Sequence, residues 1–256
     1  AKFESANSDY QVIYEDGVLK LAVKPTHTDH PVCGKTCTHD TTHETITWTA
    51  WESTTSLPSA ANNYYLTADV TISSRWEPAN GTVLCLNGHT ITMSGNNDVI
   101  KVGSDKTFTL TDCGTTGKKT HASGATGRGV FVSGGTFEMY GGSIIGNSAE
   151  YGGGVLMNTG TFNMYGGDIT GNTATADHLG GGGVYVEYGT FNMYAGDITG
   201  NNATGKGGGV FMNGYSSTSI FNMSGGSITG NSATTNGGGV YVYNGTFTVS
   251  VSPKII

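Results

Sequence analysis

The sequence predicts an all-β fold, a parallel β-helix with three strands per coil and about 25–30 residues per coil. Three observations carry this expectation. A unit of the form GGGVYVxxGTFNMYGGDITGNxA recurs through the second half of the chain. Its apolar pieces, V-Y-V, F-N-M and an Ile strand, are each too short for a helix and are separated by Gly-rich corners. The step from each Phe to the next Ile is constant at seven residues, whereas length varies elsewhere in the unit.

Taken in order, residues 1–26 read as a hairpin or linker, with QVIYEDGVLKLAV turning at Asp16-Gly17. Residues 27–80 form a Cys/His-rich cap and the entry to the solenoid, covering its first open edge. Residues 81–251 are the β-helix, and 252–256 a truncated tail. In the first coils, Leu84 and Ile91 repeat the seven-residue step, Phe108 joins the Phe series, and Val99 precedes it. The regular part follows: Phe137, Phe162, Phe191, Phe221 and Phe247, spaced 25, 29, 30 and 26 apart. Ile144, Ile169, Ile198 and Ile228 follow the first four of these, and Val130, Val155, Val184, Val210 and Val240 form a third series. Strand alternation puts Val, Phe, Met and Ile inside, with Glu138 and Glu187 outside, because a buried unpaired Glu is costly. Asn147, Asn172, Asn201 and Asn231 recur at one corner and predict an amide ladder along the axis. The two places where length varies, 173–181 and 213–220, are expected to be loops.

Composition narrows the function. The 256 residues include 42 Gly and only 12% charged residues, and the net charge is −7. That charge argues against nucleic-acid binding, which needs a basic face. No apolar run is long enough to span a membrane, and the Gly runs precede strands rather than helices, so they are not phosphate loops.

Four groups of residues could carry chemistry. His30, Cys33, Cys37, His39 and His43, with His27 close by, offer four ligands to a structural zinc; a Cys33–Cys37 disulfide with solvated histidines is the competing reading. Cys85 and Cys113 either bridge neighbouring coils or stay reduced, and an alignment of Leu84 with Phe108 places them at different offsets. Asp168 and Asp197 sit one coil apart, near the spacing of a glycosidase pair, but repetition gives that spacing without any function. Finally, Phe131, Leu156, Tyr185, Phe211 and Tyr241, and separately Tyr140, Tyr165 and Tyr194, form outward aromatic rows. Such rows can stack on sugar rings or protein partners, or simply on one another.

The ITGNxAxxxGGGVYV units are similar to the short repeats of polymorphic membrane proteins and related bacterial surface adhesins, with Ile169–Asn172 standing for their aromatic-x-x-Asn motif. WTAWESTTSLPSAANNYYLTADVTI, LCLNGHTITM and LTDCG resemble the start of multi-repeat surface proteins of anaerobic gut Firmicutes. The resemblance, over about 27–250, implies a right-handed parallel β-helix exported to the bacterial cell surface. The expected function is non-enzymatic adhesion, with no catalytic residue assigned. Phe131, Tyr185, Phe211, Tyr241, Tyr140, Tyr165 and Tyr194 are the expected contacts to a glycan or host surface protein. Membrane insertion is not expected, and the chain reads as part of a longer one. A carbohydrate-active enzyme, recognisable by a cleft with a carboxylate pair and a basic residue, is the alternative. A structural stalk is a third reading.

Overall fold

A computed structural model describes residues 10–15, 18–23, 30, 32, 45–114, 116–214, 219–250 and 254–255. Among them every element is a strand. Tyr10–Glu15 and Val18–Val23 pair antiparallel as a hairpin. All strand pairs from Thr49–Trp51 onward are parallel, and each strand pairs with its counterpart in the next coil. This is the parallel β-helix that the repeat predicts.

Columns of side chains fill the lumen; beside a column of Val132, Met157, Val186 and Met212 and a column of Met139, Met164, Met193 and Met223 stand the three series that the repeat marks. The first runs Ile100, Val130, Val155, Val184, Val210, Val240. The second runs Thr82, Phe108, Phe137, Phe162, Phe191, Phe221, Phe247. From Phe108 to Phe247 the rings stack with centroids 5.8, 4.9, 4.8, 4.5 and 4.7 Å apart. One coil step is close to the 4.7–4.9 Å strand spacing, so identical residues meet face to face. The third column runs Val70, Ile91, Lys119, Ile144, Ile169, Ile198, Ile228, Ile255.

A fourth, two-residue strand was not expected. Ser148–Ala149, Thr173–Ala174, Asn202–Ala203 and Ser232–Ala233 pair in series just after the Asn corner. In Val130–Met139 and Val155–Met164 the Val and Phe pieces form one strand bent at a glycine. Gly160 has φ +96°, and a Cβ there would lie 2.2 Å from the Gly135 carbonyl of the coil below. Both the backbone conformation and the stacking therefore require glycine.

The Asn ladder is present. The Nδ2 of Asn147 donates to Oδ1 of Asn172 at 2.8 Å, Asn172 to Asn201 at 2.9 Å, and Asn201 to Asn231 at 2.9 Å. Each acceptor oxygen also takes the backbone N–H of the preceding Asn. His121 extends the row, its Nδ1 lying 2.8 Å from Asn147 Oδ1. Asn201→Ala is expected to cost about 2–3 kcal/mol, because it strands buried groups on Asn172 and Ile169. Chemical denaturation would measure it, and a loss below about 0.5 kcal/mol would mean that water replaces the amide.

Several sequence expectations shift in the early coils. Leu84 pairs with Leu110, not Phe108, and Val130 pairs with Ile100, not Val99. The cause is the corner at 86–89, where Asn87 (φ 51°) and Gly88 (φ 81°) turn the chain. Leu84 shares its column with Met139, and the step from that column to the Ile column is seven residues here against five from Met139 to Ile144, so the seven-residue step from Leu84 starts from a different column. Parallel pairing also extends beyond the expected β-helix at both ends. It starts at Thr49–Trp51, inside the expected cap, and Lys254–Ile255 of the expected tail pairs with Ser227–Ile228.

Lys119 is the exception in the lumen. It occupies an isoleucine position between Ile91 and Ile144, is fully buried, and its Nζ has no hydrogen-bond partner. Burial pulls its amine down from 10.5 to about 7, partly opposed by the nearby Asp112 carboxylate.

Candidate functional site

Two aromatic bands lie outside the lumen, and they differ. The first follows the Val strands, where Phe131, Leu156, Tyr185, Phe211 and Tyr241 are in register. They point away from the lumen as alternation requires, but they do not form an open surface. Tyr185 is 3% and Phe211 1% exposed. Tyr151 and Leu179, on the Gly-rich connections, fold over them, and Phe131 and Tyr241 pack at the two ends. The expectation of an exposed row is thus corrected for Tyr185 and Phe211: the band is a second small core between sheet and connections. Gly180 lets the longest connection lie this close, since a Cβ there would sit 1.6 Å from the Lys206 carbonyl. Cations flank the band, with the Arg128 guanidinium 5.6 Å from the Phe131 ring centre and Lys206 Nζ 5.2 Å from that of Tyr241.

A cavity of about 190 Å³ opens at the end of this band, lined by His178, Leu179, Lys206, Phe211, Asn213 and Tyr243. Asn213 is 2% exposed. Its Nδ2 donates to the Tyr185 hydroxyl at 2.6 Å, while its Oδ1 has no partner. Exchanging the amide N and O would leave the other atom unpaired, so the cavity holds a polar group without a partner in either orientation.

The second band is solvent-facing. Tyr140, Tyr165 and Tyr194 stack with centroids 4.5 and 4.8 Å apart, their planes within 17° and 5°. On one side runs the row Glu138, Asn163, Asn192, Asn222, whose asparagines are joined amide to amide at 2.9 Å. On the other runs Ser143, Asp168, Asp197, Ser227. The Ser227 hydroxyl donates to Asp197 at 2.5 Å, and that of Ser143 lies 3.5 Å from Asp168. Burial, and then the Asp197 charge, raises the Asp168 carboxyl above its usual range. Burial, and then Glu138, pushes the Tyr140 and Tyr165 phenols up. Because the rings stack on one another, their faces are covered inside the row. The residue after Tyr194 in the column is Ser224, so one face of Tyr194 stays open; this residue is 43% exposed.

A cavity of about 410 Å³ lies among Asn96, Asn97, Asp98, Thr126, Gly127, Arg128, Ser148, Ala149, Glu150 and Thr175. It brings together the two carboxylates and the basic residue that an enzyme on this fold would need. Asp98, however, is clamped between Arg128 at 3.2 Å and Arg75 at 3.7 Å. Glu150 accepts the Tyr151 hydroxyl at 2.6 Å. Sequence reasoning missed this cleft because Asp98 and Arg128 lie where the repeat is irregular.

A group able to hold a metal ion is also present. One ligand atom each of His30, Cys85 and Cys113 lies within 4.8 Å of the other two. The two Sγ atoms are 3.0 Å apart, longer than a disulfide bond. The Cys113 thiol and burial push the Cys85 thiol far above its usual range. His30 is buried, stacks on Trp48 at 4.7 Å and accepts the Trp48 indole N–H at its carbonyl. The sequence placed His30 with Cys33, Cys37, His39 and His43; those four lie outside the described residues. Sequence reasoning missed Cys85 and Cys113 as companions of His30 because the seven-residue step aligns Leu84 with Phe108, whereas Leu84 pairs with Leu110 and Cys85 with Thr111.

No protein-family model, no curated protein and no solved structure matches the chain.

Proposed function

We propose that the chain is a non-enzymatic module of an exported bacterial cell-surface protein that holds a glycan on its tyrosine band. The supporting observation is the open face of Tyr194, bordered by the Asn192–Asn222 amides on one side and the Asp197–Ser227 pair on the other. A sugar ring presents an apolar face and a rim of hydroxyls, and this surface offers a ring plane with donors and acceptors beside it. Repetition along a rigid axis adds avidity for a repeating chain. The cavity at Asn213, with its unpaired amide atom, is a second contact point on the same reading. A structural zinc in the N-terminal part belongs to the reading as well.

On a glycan array the full chain is expected to capture at least one polysaccharide. Tyr194→Ala should weaken that capture roughly 3–10-fold while lowering stability by no more than about 1 kcal/mol, the worth of its single stack on Tyr165. Tyr185→Ala should act differently, lowering stability by about 2–4 kcal/mol because it empties part of the second core. Equal loss of capture with both variants and no stability change would refute the distinction.

The Asp98–Arg128–Glu150 cleft supports an alternative, a carbohydrate-active enzyme. Release of reducing ends or unsaturated sugars by the wild type, abolished by Glu150→Gln, would establish that reading instead. The contacts of Asp98 with Arg128 at 3.2 Å and Arg75 at 3.7 Å argue against it, since both would have to open for the carboxylate to reach a substrate.

A further inference from the structure

We propose that His30, Cys85 and Cys113 are ligands of one transition-metal ion of the zinc class, and that this ion fastens His30 to the flank of the first coils. The inference stands apart from the glycan reading, because it needs no ligand on the outer bands.

The three residues are far apart in sequence, yet the fold brings their ligand atoms within 4.8 Å of one another. Thiolates bind zinc at about 2.3 Å and imidazole at about 2.0–2.1 Å, which places ligand atoms of a tetrahedral ion about 3.5–3.8 Å apart. The sulfurs, now 3.0 Å apart, would need to separate by less than about 1 Å. Two thiols and an imidazole are soft and borderline donors, the set that selects zinc and its neighbours over magnesium or calcium.

Burial supports the fastening role. Leu84 points into the lumen, so its neighbour Cys85 points out, and yet Cys85 is 0% exposed. An outward residue in an entry coil is fully buried only when other chain covers it. His30 is among the groups that meet it there and is itself 4% exposed. The imidazole is held in place independently of any metal, by its Trp48 stack and the backbone bridge to Ile46. The backbone N–H of Cys113 donates to Cys85 Sγ at 3.3 Å and supplies an outer partner that orients that sulfur. On binding, each thiol gives up its proton to solvent as its sulfur joins the ion, so two protons leave per ion bound.

The test uses the full chain, purified reduced and without chelator. Elemental analysis should find about one zinc per chain. Exchange for Co²⁺ should give thiolate-to-cobalt charge-transfer absorption. Cys85→Ser/Cys113→Ser should lower affinity by more than about 100-fold, beyond the usual effect of losing an outer partner. Two results would overturn the proposal. One is a metal-free chain lighter by two hydrogens, with Cys85 and Cys113 cross-linked in the peptide map. The other is undiminished metal in the double variant. Should that variant fail to fold, Cys113→Ser alone decides: cobalt charge-transfer absorption that falls by about half or more supports the site, and undiminished absorption refutes it.

Discussion

A Lys119→Ile chain is expected to be more stable than the wild type, by about 5 kcal/mol below pH 7, with the gap closing as pH rises toward 10.5. Lys119 stands in the isoleucine column with its Nζ unpartnered, so the amine is charged in the unfolded chain and resists charge in the folded one. The fall from 10.5 to about 7 corresponds to about 5 kcal/mol. The sign follows from proton counts. Between pH 7 and 10.5 the unfolded chain binds more protons than the folded one, so wild-type stability rises with pH across that window. Below it both states are charged and the full cost is present; above it neither is. Isoleucine completes the column and leaves Asp112 its backbone donors from Gly88, Gly114 and Gly117. Denaturation midpoints of both chains from about pH 6 to 10 provide the measurement. A variant less stable than the wild type at neutral pH, or a flat wild-type profile, would contradict the account.

Phe191→Ala is the second large effect, a loss of about 3–5 kcal/mol. Phe191 is 0% exposed and stacked on both sides, at 4.8 Å from Phe162 and 4.5 Å from Phe221. Its removal leaves a cavity that neighbouring coils cannot close without losing register. Phe247→Ala, at the end of the stack with a single ring neighbour at 4.7 Å, should cost about 1–2 kcal/mol. Similar costs at the two positions would mean that the stack does not act through nearest neighbours.

The regular coils were legible because one physical fact, a strand spacing that matches one coil step, converts sequence repetition into contact. Phe137 to Phe247, Ile144 to Ile228 and the Asn ladder follow from spacing alone. The early coils were less legible. There the corner at Asn87-Gly88 changes length, and a constant seven-residue step from Leu84 to Ile91 joins two different columns. The same shift hid the approach of Cys85 to Cys113. Burial on the outer face was not legible either. Alternation says that Tyr185 and Phe211 leave the lumen, but it cannot say that Tyr151 and Leu179 return to cover them, because those sit on connections of variable length. Tyr194 stands apart from Tyr140 and Tyr165 only through Ser224, a single break in a row.

The sameness of the coils has a consequence for how the chain finds its fold. Phe137, Phe162, Phe191 and Phe221 present nearly interchangeable seats, so a coil could dock on its second neighbour rather than its first and lose little contact energy. Such a skipped threading traps the chain without exposing much apolar surface. What distinguishes the correct count is the irregular end. Trp76, Thr82, Lys119 and His121 each occur once in their columns, and only one order of coils seats all four. Assembly that starts from this end and adds coils toward Phe247 keeps its place, whereas assembly begun among the identical coils has no landmark from which to number them.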